Sequence, residues 1–147
     1  MKAEPYKGIV RPAVMGTFRN KDKILVAEGY DSVKNEVFFR PLGGGIRFEE
    51  KGTDALKREI MEELRLQIKD IKYLGVIENI FTWEGITGHE LILVYDAKFA
   101  DVTVYDREFL EIYDIHDENV KVFWKAVSDF NENKEILYPL ELRKLLI

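Results

Sequence analysis

The sequence contains no cysteine and only two histidines. Without cysteine, a disulfide framework, a thiol nucleophile and a cysteine-ligated zinc or iron–sulfur site are all excluded. The histidines, His89 and His116, do not form the H-E-x-x-H pattern of zinc hydrolases. The serines, Ser32 and Ser128, do not lie in a G-x-S-x-G pattern. Several common hydrolytic mechanisms are therefore ruled out.

Long apolar runs are also missing. The segment 1–16 is interrupted by charged residues, and nothing downstream approaches ~18 apolar residues without a charge. We therefore expect neither an export signal nor a membrane span. We expect a cytoplasmic location, with which the absence of cysteine is compatible.

The sequence also lacks an excess of positive charge, since it contains 22 basic and 27 acidic residues and has a net charge of −5. Nucleic-acid binding usually depends on a basic surface, so we do not expect a nucleic-acid partner. A small phosphorylated substrate remains compatible, provided that a bound metal ion supplies local positive charge. The 147 residues are 46% hydrophobic and 33% charged, which predicts one globular domain over 1–147.

Periodicity predicts an α+β domain in which a strand-rich first third precedes a helix. The predicted strands are 10–18, 24–27, 36–40, 71–81, 89–100 and 120–124. A helix is predicted over 53–66, with Thr53 or Asp54 as its N-cap, and a short one from Pro139 to Leu146. Irregular structure is predicted at the glycines 43–45, at a hairpin loop over 83–88 and at the acidic stretch 101–119.

The first predicted helix concentrates carboxylates on one side. At about 100° per residue, Glu59, Glu62 and Glu63 fall within an arc of roughly 100°. Like charges at this spacing repel each other, and each such pair destabilises an isolated helix by roughly a few tenths of a kcal/mol. A hard divalent cation such as Mg²⁺ or Mn²⁺ would compensate, because these ions prefer carboxylate oxygens and water. A solvated charged helix face is the alternative.

The surrounding spacing favours the metal site. Gly44 is followed by five residues, Glu50, seven residues and then the run 58–66, which reads R-E-I-M-E-E-L-R-L. This resembles the signature of the Nudix hydrolase family, G-x5-E-x7-R-E-U-x-E-E-x-G-U, in which U is a bulky apolar residue. Six of the seven fixed positions match, and Ile60 and Leu66 fit the two U positions. The departure is Arg65, which stands where the family has glycine.

The resemblance implies an αβα sandwich with a central mixed β-sheet. It also implies hydrolysis of a phosphoanhydride bond in a nucleoside diphosphate linked to another moiety, with Mg²⁺ or Mn²⁺ as cofactor. By position, Glu59, Glu62 and Glu63 would bind the metal, Glu50 would assist, and Arg58 would orient the carboxylates. The glycine turn of Gly43, Gly44 and Gly45 would let the backbone pack against the start of the helix.

The glycine that Arg65 replaces supplies no ligand, because it suits a left-handed helix end. Arg65 must therefore either stay helical or accept strain of roughly 1 kcal/mol. We expect a slightly altered helix exit and intact chemistry.

The general base and the substrate contacts are less specific predictions. Glu59 is one candidate base, and a glutamate outside the motif is another, the candidates being Glu78, Glu90, Glu108 and Glu111. Substrate contacts are predicted at Arg40, Arg47, Trp83, Glu78 and His89. The aromatic residues that could stack on a base are Phe39, Phe48, Trp83 and Tyr95. For each residue the alternative is an ordinary surface charge or a core aromatic.

Two other functions stay open. A Nudix fold can recognise a nucleotide without cleaving it, but such a module would be expected to lose carboxylates that this sequence retains. A hydrolase acting on RNA 5′ ends should carry a basic path, and the net charge of −5 counts against one. The sequence does not identify the substrate, and a homodimer also stays open.

Overall fold

The computed structural model describes residues 8–113 and 120–146, which form eight strands and three short to medium helices. The strands are β1 (Val10–Asn20), β2 (Lys23–Asp31), β3 (Glu36–Arg40), β4 (Leu42–Gly45), β5 (Ile68–Trp83), β6 (Ile86–Phe99), β7 (Phe109–Glu111) and β8 (Lys121–Ala126). The helices are α1 (Gly52–Leu64), α2 (Val127–Asn131) and α3 (Leu142–Leu145).

Strand β1 organises the sheet. The strand order is β5-β6-β1-β2-β8-β7, while β3 pairs with β2 and β4 pairs with β1. Strand β1 runs parallel to β6 and antiparallel to β4, and its last two residues, Arg19 and Asn20, pair with β2. Its segment 13–18 is buried, as expected for a strand covered on both faces. The sheet is therefore mixed, as predicted.

Helices cover both faces of this sheet. Leu56, Ile60 and Leu64 of α1 pack into one core with Val14, whereas Phe130 and Leu142 pack into a second core on the opposite face. Each fully buried aliphatic side chain of this kind contributes roughly 1.5–3 kcal/mol. The αβα layering and the mixed sheet confirm the predicted fold class.

Helix α1 begins and ends close to its predicted limits. Its N-cap is Lys51, which makes no side-chain cap bond, so the prediction of Thr53 or Asp54 was wrong by two or three residues. Arg65 takes the left-handed conformation itself (φ 56, ψ 36), and its N–H donates to the carbonyl of Met61. Arg65 therefore accepts the strain of the left-handed conformation. The helix ends without the altered exit that we expected. The Arg65 guanidinium lies 4.4 Å from the ring centroid of Tyr113, a cation–π contact that offsets part of this strain.

The two strands of the β5–β6 hairpin are longer than predicted, and the turn that connects them is shorter. Trp83 pairs with Ile86, so the connection is the two-residue turn Glu84-Gly85, in which both residues have positive φ. The predicted loop over 83–88 was therefore wrong, and Trp83 belongs to a strand. The Glu84 carboxylate accepts a bond from the Ser32 backbone N–H at 2.7 Å, which ties the hairpin to the end of β2.

The three glycines form a strand where irregular structure was predicted. Gly43, Gly44 and Gly45 of β4 pair with β1, so their role is close approach rather than a turn. A Cβ on Gly43 would collide with the Val14 carbonyl oxygen, and one on Gly44 would collide with the Glu59 carboxyl. The missing side chains allow β1 and α1 to approach the same short strand from two directions.

The remaining differences are local. The acidic stretch after β6 contains a 3₁₀ turn at Val102–Asp106 and the short strand β7, whereas a loop with one irregular turn was predicted. Residues 114–119 of that stretch lie outside the described residues. The C-terminal helix is shorter than predicted, and α2 was not predicted.

Candidate active site

The guanidinium of Arg58 is the centre of the candidate site. It makes a bidentate pair with Glu50, with N–O distances of 2.8 and 2.9 Å, and donates to Glu59 at 2.9 Å. It also donates to the carbonyl of Gly45 at 2.9 Å. Glu62, one helical turn further along α1, lies 3.4 Å away. One arginine therefore joins three carboxylates of the motif to strand β4.

This pairing changes the charge state of the site. The hydrogen bonds from Arg58 hold the pKa of Glu50 at about 2, well below its ordinary 4.5. The same bonds, with Glu50 as the largest cause, raise the pKa of Arg58. Glu50 also accepts the backbone N–H of Arg47 at 3.1 Å, which ties the turn before α1 to the helix. Glu50 is thus an ionised anchor at neutral pH.

A pH dependence of stability follows from the lowered pKa of Glu50. Because the folded pKa of about 2 lies below the ordinary 4.5, ionised Glu50 stabilises the fold above pH 4.5. That contribution is lost as the pH falls from 4.5 towards 2. We expect Glu50→Gln to be less stable than the parent at pH 7 and the difference to shrink in that window. Urea unfolding of both proteins from pH 7 to pH 2 measures it, and a pH-independent difference would contradict the assignment.

The carboxylates of α1 border a cavity of about 320 Å³, here called the glutamate cavity. Glu59 and Glu63 line it on the α1 side, and Gly43, Gly44 and Arg40 line it on the sheet side. The side chain of Glu59 is 15% exposed and that of Glu62 is 50% exposed. Glu59 is therefore held more firmly than Glu62, whose contacts with Arg58 and Arg47 are longer, at 3.4 and 3.6 Å.

The donor set fits a hard divalent cation. In segments 8–113 and 120–146, no three histidine, aspartate or glutamate side chains converge as a ready-made metal site. The reason is visible in the structure, because Arg58 draws the carboxylates of Glu50, Glu59 and Glu62 towards itself. All potential ligands are carboxylate oxygens, which Mg²⁺ and Mn²⁺ prefer. Glu62 has the longest contact with Arg58 and is half exposed, so its rotation towards an ion costs little.

A second cavity of about 350 Å³, here called the side cavity, adjoins the first. Phe38, Arg40 and Trp83 line both. At the far end of the side cavity the Tyr138 hydroxyl donates to Glu36 at 2.6 Å. Burial and this bond raise the pKa of Tyr138 to about 12, so the hydroxyl stays protonated at neutral pH. The two adjoining cavities, here called the cleft, carry the motif carboxylates at one end, and at the other end both aromatic rings and the acidic side chains of Asp31, Glu36, Glu90 and Glu141.

The structure brings only some of the predicted substrate contacts to this cleft. Arg40 and Trp83 line it, whereas Arg47 is 66% exposed and lies 3.6 Å from Glu62. Glu78 and His89 line neither cavity, although their chain neighbours Asn79 and Glu90 line the side cavity. Predictions of contacts at Glu78 and His89 are therefore not supported by the geometry.

The candidate bases outside the motif are separated from one another. Glu90 is 3% exposed and its carboxylate is paired with Arg11 at 2.8 Å. Glu108 borders a different cavity, together with Trp124, and Glu111 is exposed on β7 opposite Lys121. None of these three is positioned as the predicted base. Glu59 lines the glutamate cavity and stays a candidate.

Of the predicted stacking aromatics, Trp83 alone borders the cleft. Phe39 and Tyr95 are buried in the two cores, and Phe48 is 93% exposed. The sequence reasoning missed Phe38, Tyr138 and Arg11, which the fold brings to the cleft. Alternation within β3 separates Phe38 from Phe39, but the sequence does not show which face lines a cavity.

Comparison with known proteins agrees with this geometry. The sequence profile of the NUDIX domain matches residues 10–140. The chain belongs to the NUDIX family. As a Nudix protein it is a pyrophosphohydrolase, and the carboxylates around Arg58 are those of the family motif.

Solved structures with the same fold include three Nudix proteins. The MutT NUDIX hydrolase of Burkholderia pseudomallei is 20% identical, with 81% of this chain and 84% of that chain covered and a TM-score of 0.59. The NUDIX hydrolase of Nitrosomonas europaea is 13% identical, with 92% and 85% covered and a TM-score of 0.63. The MutT protein of Bacillus halodurans is 15% identical, with 93% and 80% covered and a TM-score of 0.62.

Among the helices of the described segments, none has the length and apolar character needed to cross a membrane.

Proposed function

We propose that this Nudix chain hydrolyses a phosphoanhydride bond in a nucleoside diphosphate linked to another moiety, with Mg²⁺ or Mn²⁺ as cofactor. The observation that carries the proposal is the set of carboxylates gathered by Arg58 beside a cavity that the rings of Phe38 and Trp83 also line. A nucleotide has matching chemistry, with a charged phosphate chain at one end and a ring at the other. The whole chain would work as one domain.

Each residue has a role that its contacts support. Glu59, Glu62 and Glu63 would hold the metal ion, with Glu50 assisting from its anchored position. When bound, the ion would neutralise phosphate charge and lower the pKa of a water molecule. Arg58 keeps the carboxylates oriented, Arg40 lines the cavity and would contact phosphate oxygens, and Trp83 offers a surface for stacking.

Proton removal from the attacking water needs a carboxylate near the phosphate. Glu59 is the motif residue most restricted in position, because Arg58 donates to it at 2.9 Å and Gly44 packs against its carboxyl. We propose Glu59 as the base, with Glu63 as the alternative on the same cavity wall. A base must lie within about 3 Å of the proton that it removes.

A substrate panel tests the proposal. Nucleoside triphosphates, dinucleoside polyphosphates, nucleotide sugars, ADP-ribose and a 5′-triphosphorylated oligonucleotide are each incubated with Mg²⁺ or Mn²⁺, and the products are separated. We expect turnover of at least one small nucleotide, and a chelator should reduce the rate by at least about 100-fold until metal is restored. Chelator-resistant turnover would contradict metal dependence.

The same panel separates the alternatives. Tight binding of one compound without turnover of any would favour a nucleotide-recognising module. Turnover confined to the oligonucleotide would favour RNA 5′-end processing, against which the net charge of −5 argues. Cytoplasmic location and homodimer formation stay predictions that this assay does not address.

A further inference from the structure

Strand β4 is an edge strand between two charged surfaces, and its Gly45 carbonyl accepts a hydrogen bond from Arg58 at 2.9 Å. Among the described strands it pairs with β1 alone, and its three glycines carry no side chains. Successive strand residues point to opposite faces, so Gly44 meets Glu59 of α1 while Gly45 meets Arg11 on the other face. The glutamate cavity continues around this edge, because Arg11, Glu59 and Glu63 all line it. A phosphate chain crossing the edge would meet carboxylates on one side and Arg11 on the other.

The guanidinium of Arg11 is fixed in place beside Gly45. Its Nη1 donates to the Glu90 carboxylate at 2.8 Å, and the two residues are direct partners across the parallel β1–β6 pair. Its Nη2 and Nε would lie 2.9 and 3.1 Å from a Cβ on Gly45, so the absence of that side chain makes room for them. The side chains of Arg11 and Glu90 are only 17% and 4% exposed. Strand pairing and ion pairing therefore both orient the guanidinium.

Two other arginines of the region, Arg58 and Arg47, are placed differently, while Arg40 lines the same cavity as Arg11. Arg58 is occupied by Glu50, Glu59 and Glu62, and Arg47 projects into solvent with 66% of its side chain exposed. A buried ion pair is a poor means of stabilising a fold, because desolvation offsets much of the attraction. The Arg11–Glu90 pair is therefore better explained as a means of orienting the guanidinium for binding than as a means of stabilising the fold.

We infer that Arg11 binds a phosphate group of the substrate beside edge strand β4, in the cavity that Arg11, Glu59 and Glu63 line, and that Glu90 is a positioning residue that acts through Arg11. This inference rests on the proposed function. A guanidinium presents a planar fork of donors that matches two phosphate oxygens, which lysine cannot reproduce. Glu90 fixes the direction of that fork without touching the substrate.

The direct test measures binding of inorganic pyrophosphate, at a fixed Mg²⁺ concentration, by calorimetry on the parent and four variants. We expect Arg11→Lys, which keeps the charge opposite Glu90 and should fold, to bind about tenfold more weakly than the parent. Glu90→Gln should weaken binding by about threefold or more, since the guanidinium loses its orientation. In the double variant Arg11→Gln/Glu90→Gln, the loss should equal that of Arg11→Gln alone, because Glu90 acts only through Arg11.

A matched control lies on the same two strands. Arg19 and Asp96 form a second β1–β6 ion pair at 3.5 Å, and neither lines the two cavities of the cleft. Asp96→Asn should leave pyrophosphate affinity unchanged. If Arg11→Gln fails to fold because Glu90 is left unpaired, Arg11→Lys and the double variant still decide the question.

The outcomes separate this inference from the function on which it rests. With a substrate from the panel, the Arg11 and Glu90 variants should raise KM with little change in kcat, as expected for lost binding of a phosphate. Parental pyrophosphate affinity in Arg11→Lys or in the double variant overturns the inference, even if the parent hydrolyses its substrate. A parent that hydrolyses nothing overturns the proposed function instead, whatever the pyrophosphate affinities are.

Discussion

Replacing Glu62 or Glu63 with glutamine is expected to lower kcat by at least about 100-fold, because each substitution removes one charged metal ligand of the proposed site. The shape of the side chain is kept, and the side chain of Glu62 is 50% exposed, so no buried charge is left unpaired. Folding should therefore be little affected. Steady-state kinetics at saturating Mg²⁺ and urea unfolding measure the two effects separately.

The matched control for these variants is Asp54→Asn. Asp54 is an exposed carboxylate in the first turn of the same helix and does not line the glutamate cavity. The Asp54→Asn variant should keep full activity. Its free energy of unfolding should fall by at most about 1 kcal/mol, roughly the value of a charge at a helix N-terminus. Parental activity in both Glu62→Gln and Glu63→Gln would show that the acidic face of α1 does not hold the metal.

Alanine substitutions at the adjacent glycines Gly43 and Gly44 of β4 are expected to have different effects, one on stability and the other on activity. In Gly43→Ala the new Cβ meets the Val14 carbonyl and the Met15 backbone, which cannot move because β1 is also paired with β6. We expect a loss of stability of about 3 kcal/mol or more, at the upper end for overpacking. In Gly44→Ala the Cβ meets the Glu59 carboxyl, which is the flexible end of a side chain.

Gly44→Ala should therefore fold with a stability loss of about 1 kcal/mol, within the usual range for a tolerated overpacking change. Its kcat should fall on the order of 100-fold, because a displacement of about 1 Å in a catalytic group has effects of that size. Urea unfolding and steady-state kinetics of the two variants provide the measurement. Full activity in a folded Gly44→Ala protein would mean that the position of Glu59 does not matter.

The motif and the helix that carries it could be predicted because their information is local. Hydrophobic spacing of Leu56, Ile60 and Leu64 marks the buried face of α1, and the glutamates occupy an adjoining arc of the same helix. Contacts of Arg58 with Glu50 and Glu59 follow from a separation of eight residues or fewer. Each of these contacts and spacings depends only on helix α1 and the turn that precedes it.

The glycine segment shows where local reasoning fails. Three consecutive glycines favour irregular structure, yet Gly43, Gly44 and Gly45 form a strand because β1 and α1 approach them closely. The hairpin loop was predicted too long for a related reason. Trp83 pairs with Ile86 while Glu84 is held by the end of β2, more than 50 residues earlier in the chain.

By itself, the sequence determined the α+β class, the carboxylate-bearing helix and the kind of cation that such oxygens attract, since all three follow from residue type and short-range spacing. Only the tertiary structure decided that Arg11 reaches the glutamate cavity, that Glu90 is paired with Arg11, and that Glu78 and His89 line neither cavity. Arg11 and Glu90 are 79 residues apart and become neighbours through the parallel pairing of β1 and β6. The register of that pairing results from burial on both faces of the sheet, which no single segment encodes.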